Sequence, residues 1–135
     1  MKRLPVIVAS VSALAFASVA VAHTFFATPS LTIHKAPVGA TSPGATVVVY
    51  GKILSGRSFC RANRVVRLFR VRPGPNRLLA SDITDSEGEY IFIRHPRRDQ
   101  RVYTRIRARS STSYGHSHNC AADRSRNRFI NVTGS

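Results

Sequence analysis

Carboxylates are what this chain has least of: 6 Asp and Glu stand against 21 Lys and Arg in 135 residues, a formal charge of +15 at pH 7. Four of the six, Asp82, Asp85, Glu87 and Glu89, lie in the single stretch "DITDSEGEY". Elsewhere there is almost nothing from which to build a catalytic carboxylate pair or an oxygen cage for a hard cation. Tryptophan is absent as well, and no segment shows the 3.6-residue apolar period of an amphipathic helix. A groove-entering recognition helix and a phosphate loop opening a helix are thereby excluded. Ser, His and Asp all occur, yet without a G-x-S-x-G elbow, and the histidines lie in loop-like stretches with no third group to orient them. These absences point to a protein that is not an enzyme and has no cofactor, and they identify no small-molecule substrate.

Long apolar runs are limited to one. Leu4 to Ala22 follows Lys2 and Arg3 and ends in Ala20-Val21-Ala22, the order of a secretory signal peptide, with cleavage expected after Ala22 or, second, after Ala20. An uncleaved anchor is the competing reading, because roughly 20 apolar residues span a bilayer. With residues 1–22 removed, 113 residues remain, enough for one domain with one core, and 19 of the 21 basic residues stay with them. Only Lys35 and Lys52 among these are lysine. Arginine keeps its charge at any ordinary pH and pairs bidentately with carboxylate and phosphate. Such a surface attracts polyanions, which outside the cytoplasm are wall polymers, anionic lipid headgroups, acidic polysaccharides and released nucleic acid. For nucleic acid only unspecific backbone attraction is supported. A compositional habit with no binding role is the competing explanation.

Cysteine is scarce too, with Cys60 and Cys120 alone, and export makes a disulfide between them the expectation. Closing a loop of about 60 residues stabilises a fold by roughly 4 kcal/mol in the chain-entropy picture. Alternatively "HSHNC" sets His116, His118 and Cys120 two apart, on one face if the stretch is a strand, as zinc or copper ligands. The surrounding "SSTSYGHSHNC" is rich in serine and glycine and reads as a loop.

What is plentiful is the strand signal. Residues 23–45 hold three prolines and read as an extended leader or linker with one strand near Leu31 to His34. Residues 46–135 read as the folded domain, with strands "TVVVYGKIL", "RVVRLFRVR", "RLLASDIT", "EYIFI", "RVYTRIRAR" and "RNRFINV" separated by turn residues such as Pro73 to Asn76. Seven short strands with regular turns predict an all-β, antiparallel, immunoglobulin-like sandwich with one disulfide. In "RVYTRIRAR" the period of two sends Val102, Thr104, Ile106 and Ala108 inward and Tyr103, Arg105, Arg107 and Arg109 to solvent. "EYIFI" is apolar on both faces and predicts a doubly covered strand. Val66 and Leu68 are expected inward, leaving Val65, Phe69 and Val71 to a loop or a partner.

The run from Val47 to Val132, with "GKI", the cysteine-bearing loop, "NRVVRLFRV" and above all Thr84-Asp85, Gly88 and Tyr90 of "TDSEGEY", resembles the carboxypeptidase regulatory-like or transthyretin-like domains of secreted bacterial proteins. The resemblance implies a seven-stranded prealbumin-type sandwich and a non-catalytic accessory or adhesion role. This chain departs from the commoner plan because no enzyme or repeat array accompanies the domain.

On both readings "DITDSEGEY" is a hairpin bend, in which Asp85 caps its own backbone and Gly88 takes a positive φ. Calcium at Asp82 and Asp85 is the competitor, though D-x-D-x-D-G spacing is missing. His34 and His95 are expected at the surface, and the sequon Asn131-Val132-Thr133 falls in a strand. The expected contact residues for an acidic envelope partner are a strand row, Arg105, Arg107 and Arg109, and a loop cluster, Arg94, Arg97, Arg98 and Arg101. The alternative partner is another secreted protein held at a sheet edge or at the apolar residues around Phe69.

Overall fold

Alternation of apolar and polar side chains decides which face of each strand turns inward, and β4 (Val47–Leu54) shows it most cleanly. Val47, Val49, Gly51 and Ile53 are buried, while the residues between them are exposed or half-buried. The computed structural model describes residues 23–113 and 115–133. The expected signal peptide, with its alternatives of cleavage and anchoring, lies outside the described residues. Within them the chain is built of strands, with one short helix and one disulfide.

In chain order the remaining elements are β1 (His23–Ala27), β2 (Ser30–Leu31), β3 (His34–Ala36), α1 (Ser58–Arg61), β5 (Val65–Arg70), β6 (Arg77–Ile83), β7 (Glu89–Arg94), β8 (Gln100–Ile106), β9 (Arg109–Ser113), β10 (His116–Cys120), β11 (Asp123–Arg124) and β12 (Arg128–Ile130). One sheet runs β11-β8-β5-β6, with β12 also on β8. A second has β4 at its centre, paired antiparallel with β2, β3 and β7. Inward residues of the two sheets form one core: Leu31, Ile33, Val47, Val49, Ile53, Tyr90 and Phe92 from the second, Val66, Leu68, Val102, Ile106 and Ile130 from the first. Each such aliphatic side chain contributes about 1.5–3 kcal/mol on burial. The arrangement is a β-sandwich-like fold.

Four expectations require correction. Residues 23–45 are not a leader, because Leu31 and Ile33 sit in the core and β1, β2 and β3 all join sheets. The prolines punctuate these strands rather than prevent them: buried Pro29 separates β1 from β2, which pair with different partners. The serine-rich stretch is not a loop, since β9 and β10 form a hairpin and β1 lies parallel to β10 in a third, three-stranded sheet. Gly115, at φ +76°, supplies the left-handed position in that bend. The strand β7 is covered on one face only, with Tyr90 and Phe92 inside but Ile91 and Ile93 55% and 63% exposed. Last, β8 ends at Ile106, so Ala108 is exposed, and Tyr103 is buried rather than solvated.

Tyr103 is covered because Phe69 is its direct cross-strand partner on β5, with the two rings stacked at 5.3 Å. Arg105 covers Phe69 and Arg124 lies 3.7 Å above the Tyr103 ring. Val66 and Leu68 face inward as expected. The disulfide joins Cys60 of α1 to Cys120 of β10, tying the third sheet to the loop after β4.

Candidate anion-binding site

The turn Pro73 to Asn76 returns the chain so that Arg70, last residue of β5, pairs in register with Arg77, first of β6. Gly74 takes φ +84° there, and Arg72 accepts support from the turn itself by donating its backbone N–H to Asn76 Oδ1 and Nε–H to Pro75 O. At the same end of the molecule β7 finishes at Arg94, and the loop to β8 carries His95, Pro96, Arg97 and Arg98. That loop is tied down at both sides. Gly44 N–H donates to Pro96 O at 2.8 Å, and Val132 N–H donates to Asp99 Oδ1 at 2.7 Å.

The two segments meet around a pocket of about 250 Å³ lined by Arg70, Arg77, Arg94, Arg97 and Arg98 together with His95, Leu79 and Gln100. Since β5 and β6 belong to one sheet and β7 to the other, the pocket closes one end of the sandwich. Among the described residues no Asp or Glu is part of its lining. Five arginines among the lining residues of so small a pocket gather positive charge at one end of the fold, and an anion with several oxygens answers that charge through bidentate hydrogen bonds.

Of the expected loop cluster, Arg94, Arg97 and Arg98 are thus brought together, and Arg101 is not. Arg101 lies on β8, exposed and opposite Phe129. Arg70 and Arg77 were missed, although their place on either side of a "PGPN" turn is the signal that hairpin pairing would make them neighbours.

The row Arg105, Arg107 and Arg109 does not form, because β8 stops before two of its members. Arg105, though exposed, rests on Phe69, and Arg107 is exposed just beyond the end of β8. Arg109 turns onto the Phe59 ring at 4.5 Å and donates to Phe59 O and Ala62 O, so it holds α1 in place. A buried arginine that the sequence hid does similar work: Arg64 donates to Cys60 O and to Arg107 O, both at 2.6 Å. Burial, and secondarily Arg109, lowers its pKa from the usual arginine value.

The hairpin residues have structural roles. Asp85 Oδ1 accepts from Glu87 N–H and Glu89 N–H at 2.9 Å each, and Asp82 accepts from Ile83 N–H and Ile91 N–H. Thr84 donates its hydroxyl to Arg61 O and accepts from Arg64 N–H, which pins the bend to α1. Gly88 is at φ +84°, and a Cβ there would stand 2.7 Å from Ile53 O. Tyr90 reaches through the core to donate to Thr32 O and to contact Thr104 Oγ1 at 3.1 Å, passing so close to Gly51 that a side chain there would collide with it. Burial pushes the Tyr90 phenol up to about 12.

Because β10 is a strand, His116, His118 and Cys120 do share a face, but Cys120 is committed to the disulfide. His118 stacks on Phe25 at 5.2 Å and tilts against Phe59, while His116 stacks on His23. His34 and His95 are exposed, and Asn131 is exposed just beyond β12.

A second surface feature lies on the outer face of the β4 sheet. Tyr50 and Ile91 are cross-strand partners, as are Val48 and Ile93, and Val48, Tyr50, Leu54, Ile83 and Ile91 border an open groove of about 780 Å³. Asp82, Asp85 and Glu89, half of all the carboxylates, line the same groove. A scan against protein-family models gives no match to this chain, and a search of curated proteins gives none.

Proposed function

We propose that this chain is a secreted, non-enzymatic sandwich module of the prealbumin type that binds an acidic polymer of the cell envelope through the arginine pocket at the end of its two sheets. The convergence of Arg70, Arg77, Arg94, Arg97 and Arg98 on one pocket carries the reading. A charge habit with no binding role would scatter arginines over the surface, whereas here two separately anchored segments deliver them to one place. The internal disulfide is consistent with an extracellular location. The test compares Arg70→Gln/Arg77→Gln and Arg97→Gln/Arg98→Gln with an Arg107→Gln/Arg126→Gln control for retention on isolated envelopes and on a heparin matrix. The pocket variants are expected to elute at clearly lower salt than the control, which removes the same charge. Equal loss in all three would show that net charge alone, and not the pocket, is responsible.

One observation favours a second reading, a protein-interaction module. Ile83, Ile91, Ile93, Tyr50 and Leu54 are between 42% and 63% exposed on one face, more apolar surface than a solvated sheet needs. The carboxylates beside them suit a partner segment that is apolar and basic. Capture that survives high salt and is lost in Ile91→Lys would support this reading over the first.

A further inference from the structure

We infer that the mature chain carries a copper(II) site made by the freed α-amine and imidazole of His23 together with the imidazole of His116. This rests on the secreted reading in one respect: cleavage after Ala22, the first-choice position, makes His23 the first residue. An N-terminal histidine offers its amine and Nδ1 to one metal in a six-membered chelate, as histamine does, and an added imidazole completes three nitrogens of a square-planar set. That donor type and geometry select Cu(II) above the other divalent first-row metals.

The fold supplies the third nitrogen. His23 begins β1, which runs parallel to β10 with His23 opposite His116 in register. Their rings are stacked, 5.7 Å between centroids and 8° from parallel, so the fold holds the two imidazoles as immediate neighbours. Two imidazoles sharing a metal at about 2.0–2.1 Å, with the nitrogen about 1.1 Å from the ring centre, have centroids roughly 4.5–6.4 Å apart, for angles from cis to trans. The observed spacing falls within that span; stacked rings do not aim their in-plane nitrogens at one point, and because both residues are exposed, rotation of the two side chains about their own bonds turns the nitrogens onto one ion. The remainder of the row is fixed. Phe25 is packed between His118 and Arg57, and the disulfide at Cys120 anchors the far end of β10, so the pair is presented by a braced sheet rather than a free tail. Binding releases the proton of the α-ammonium group.

The exported chain, its first residue confirmed by mass, is titrated with Cu(II) against a competing chelator and examined by electron paramagnetic resonance. One equivalent is expected, with an axial spectrum split by nitrogen ligands. His116→Ala and a variant with Gly-Ser inserted before His23 should each lower the affinity at least 100-fold, while His34→Ala/His95→Ala leaves it unchanged. Copper that binds below one equivalent, or equally well to the inserted variant or His116→Ala, overturns the proposal. An exported chain starting at a residue other than His23 overturns it too, while leaving export intact. Failure of export would instead strike at the secreted reading itself.

Discussion

Among single residues, Tyr90 links the core to a measurable pH dependence. Its phenol is pushed up to about 12 by burial, against 10.0 for the unperturbed group. Between those values the unfolded chain loses the proton and the folded chain keeps it, so the folded state binds more protons and stability falls as pH rises from about 10. The loss is about 1.4 kcal/mol per pH unit, approaching about 3 kcal/mol near pH 12. Tyr90→Phe should flatten this part of the alkaline profile in denaturant unfolding. At pH 8 the same change should cost about 1–2 kcal/mol, because the carbonyl of Thr32 loses its donor. A variant profile as steep as that of the parent would place the alkaline loss elsewhere.

Gly88 is the second residue whose identity follows from local geometry. At φ +84°, with a Cβ position 2.7 Å from Ile53 O, Gly88→Ala must strain the backbone and push β4 away from the bend. The expected cost is about 1–3 kcal/mol, read from the unfolding midpoint. Gly74, at the same φ, has nothing within 4 Å of its Cβ position. Gly74→Ala should therefore cost less, roughly 1 kcal/mol, as a φ penalty without a collision.

At the scale of elements, the third sheet depends on the disulfide more than the sandwich does. The strands β1, β9 and β10 contribute no member of the main core except through Cys120, next to α1. Replacing both cysteines by Ala should remove about 2–4 kcal/mol. Hydrogen exchange should rise first in β10 and β1, with β4, β5 and β8 protected until global unfolding. Uniform loss of protection would show the three sheets to be one cooperative unit.

These elements also show what could be read beforehand. The strands β4 to β8 were legible because alternation with β-branched residues is a local signal, and the Cys60–Cys120 bridge because two cysteines allow one pairing. The strands β9 and β10 were not, because "RSSTS" and "HSHNC" hold little apolar surface: they are strands by virtue of pairing with each other and, for β10, with β1, a contact 93 residues distant in His23 and His116. The arginine pocket was half legible. Arg94, Arg97 and Arg98 are a local cluster, but Arg70 and Arg77 join them only through the meeting of two sheets. The imagined row through Arg109 failed because strand periodicity was extended past Ile106, where pairing with β11 ends.

For the whole molecule, 19 basic side chains against 6 acidic ones in the folded portion mean that compaction brings like charges together. Salt screens this repulsion over about 10 Å at 0.1 M, so raising ionic strength from 0.02 to 0.3 M, on the order of the range in which screening changes most, should raise the melting temperature by a few degrees. An acidic polymer that occupies the arginine pocket should do the same at low salt by mass action. At about 100 times its dissociation constant it stabilises by about 2.7 kcal/mol, or roughly 10 °C in a domain of this size. The two effects oppose each other, since salt that relieves self-repulsion also displaces the polymer. Melting temperature against salt is therefore expected to rise steadily for the free protein and to fall, then merge with that curve, when polymer is present. In Arg70→Gln/Arg77→Gln the free curve should begin higher, with less repulsion to screen, and the polymer should shift it less. If both curves shift in parallel with the parent's, the charge on this surface acts through its sum and the pocket has no part in holding the polymer.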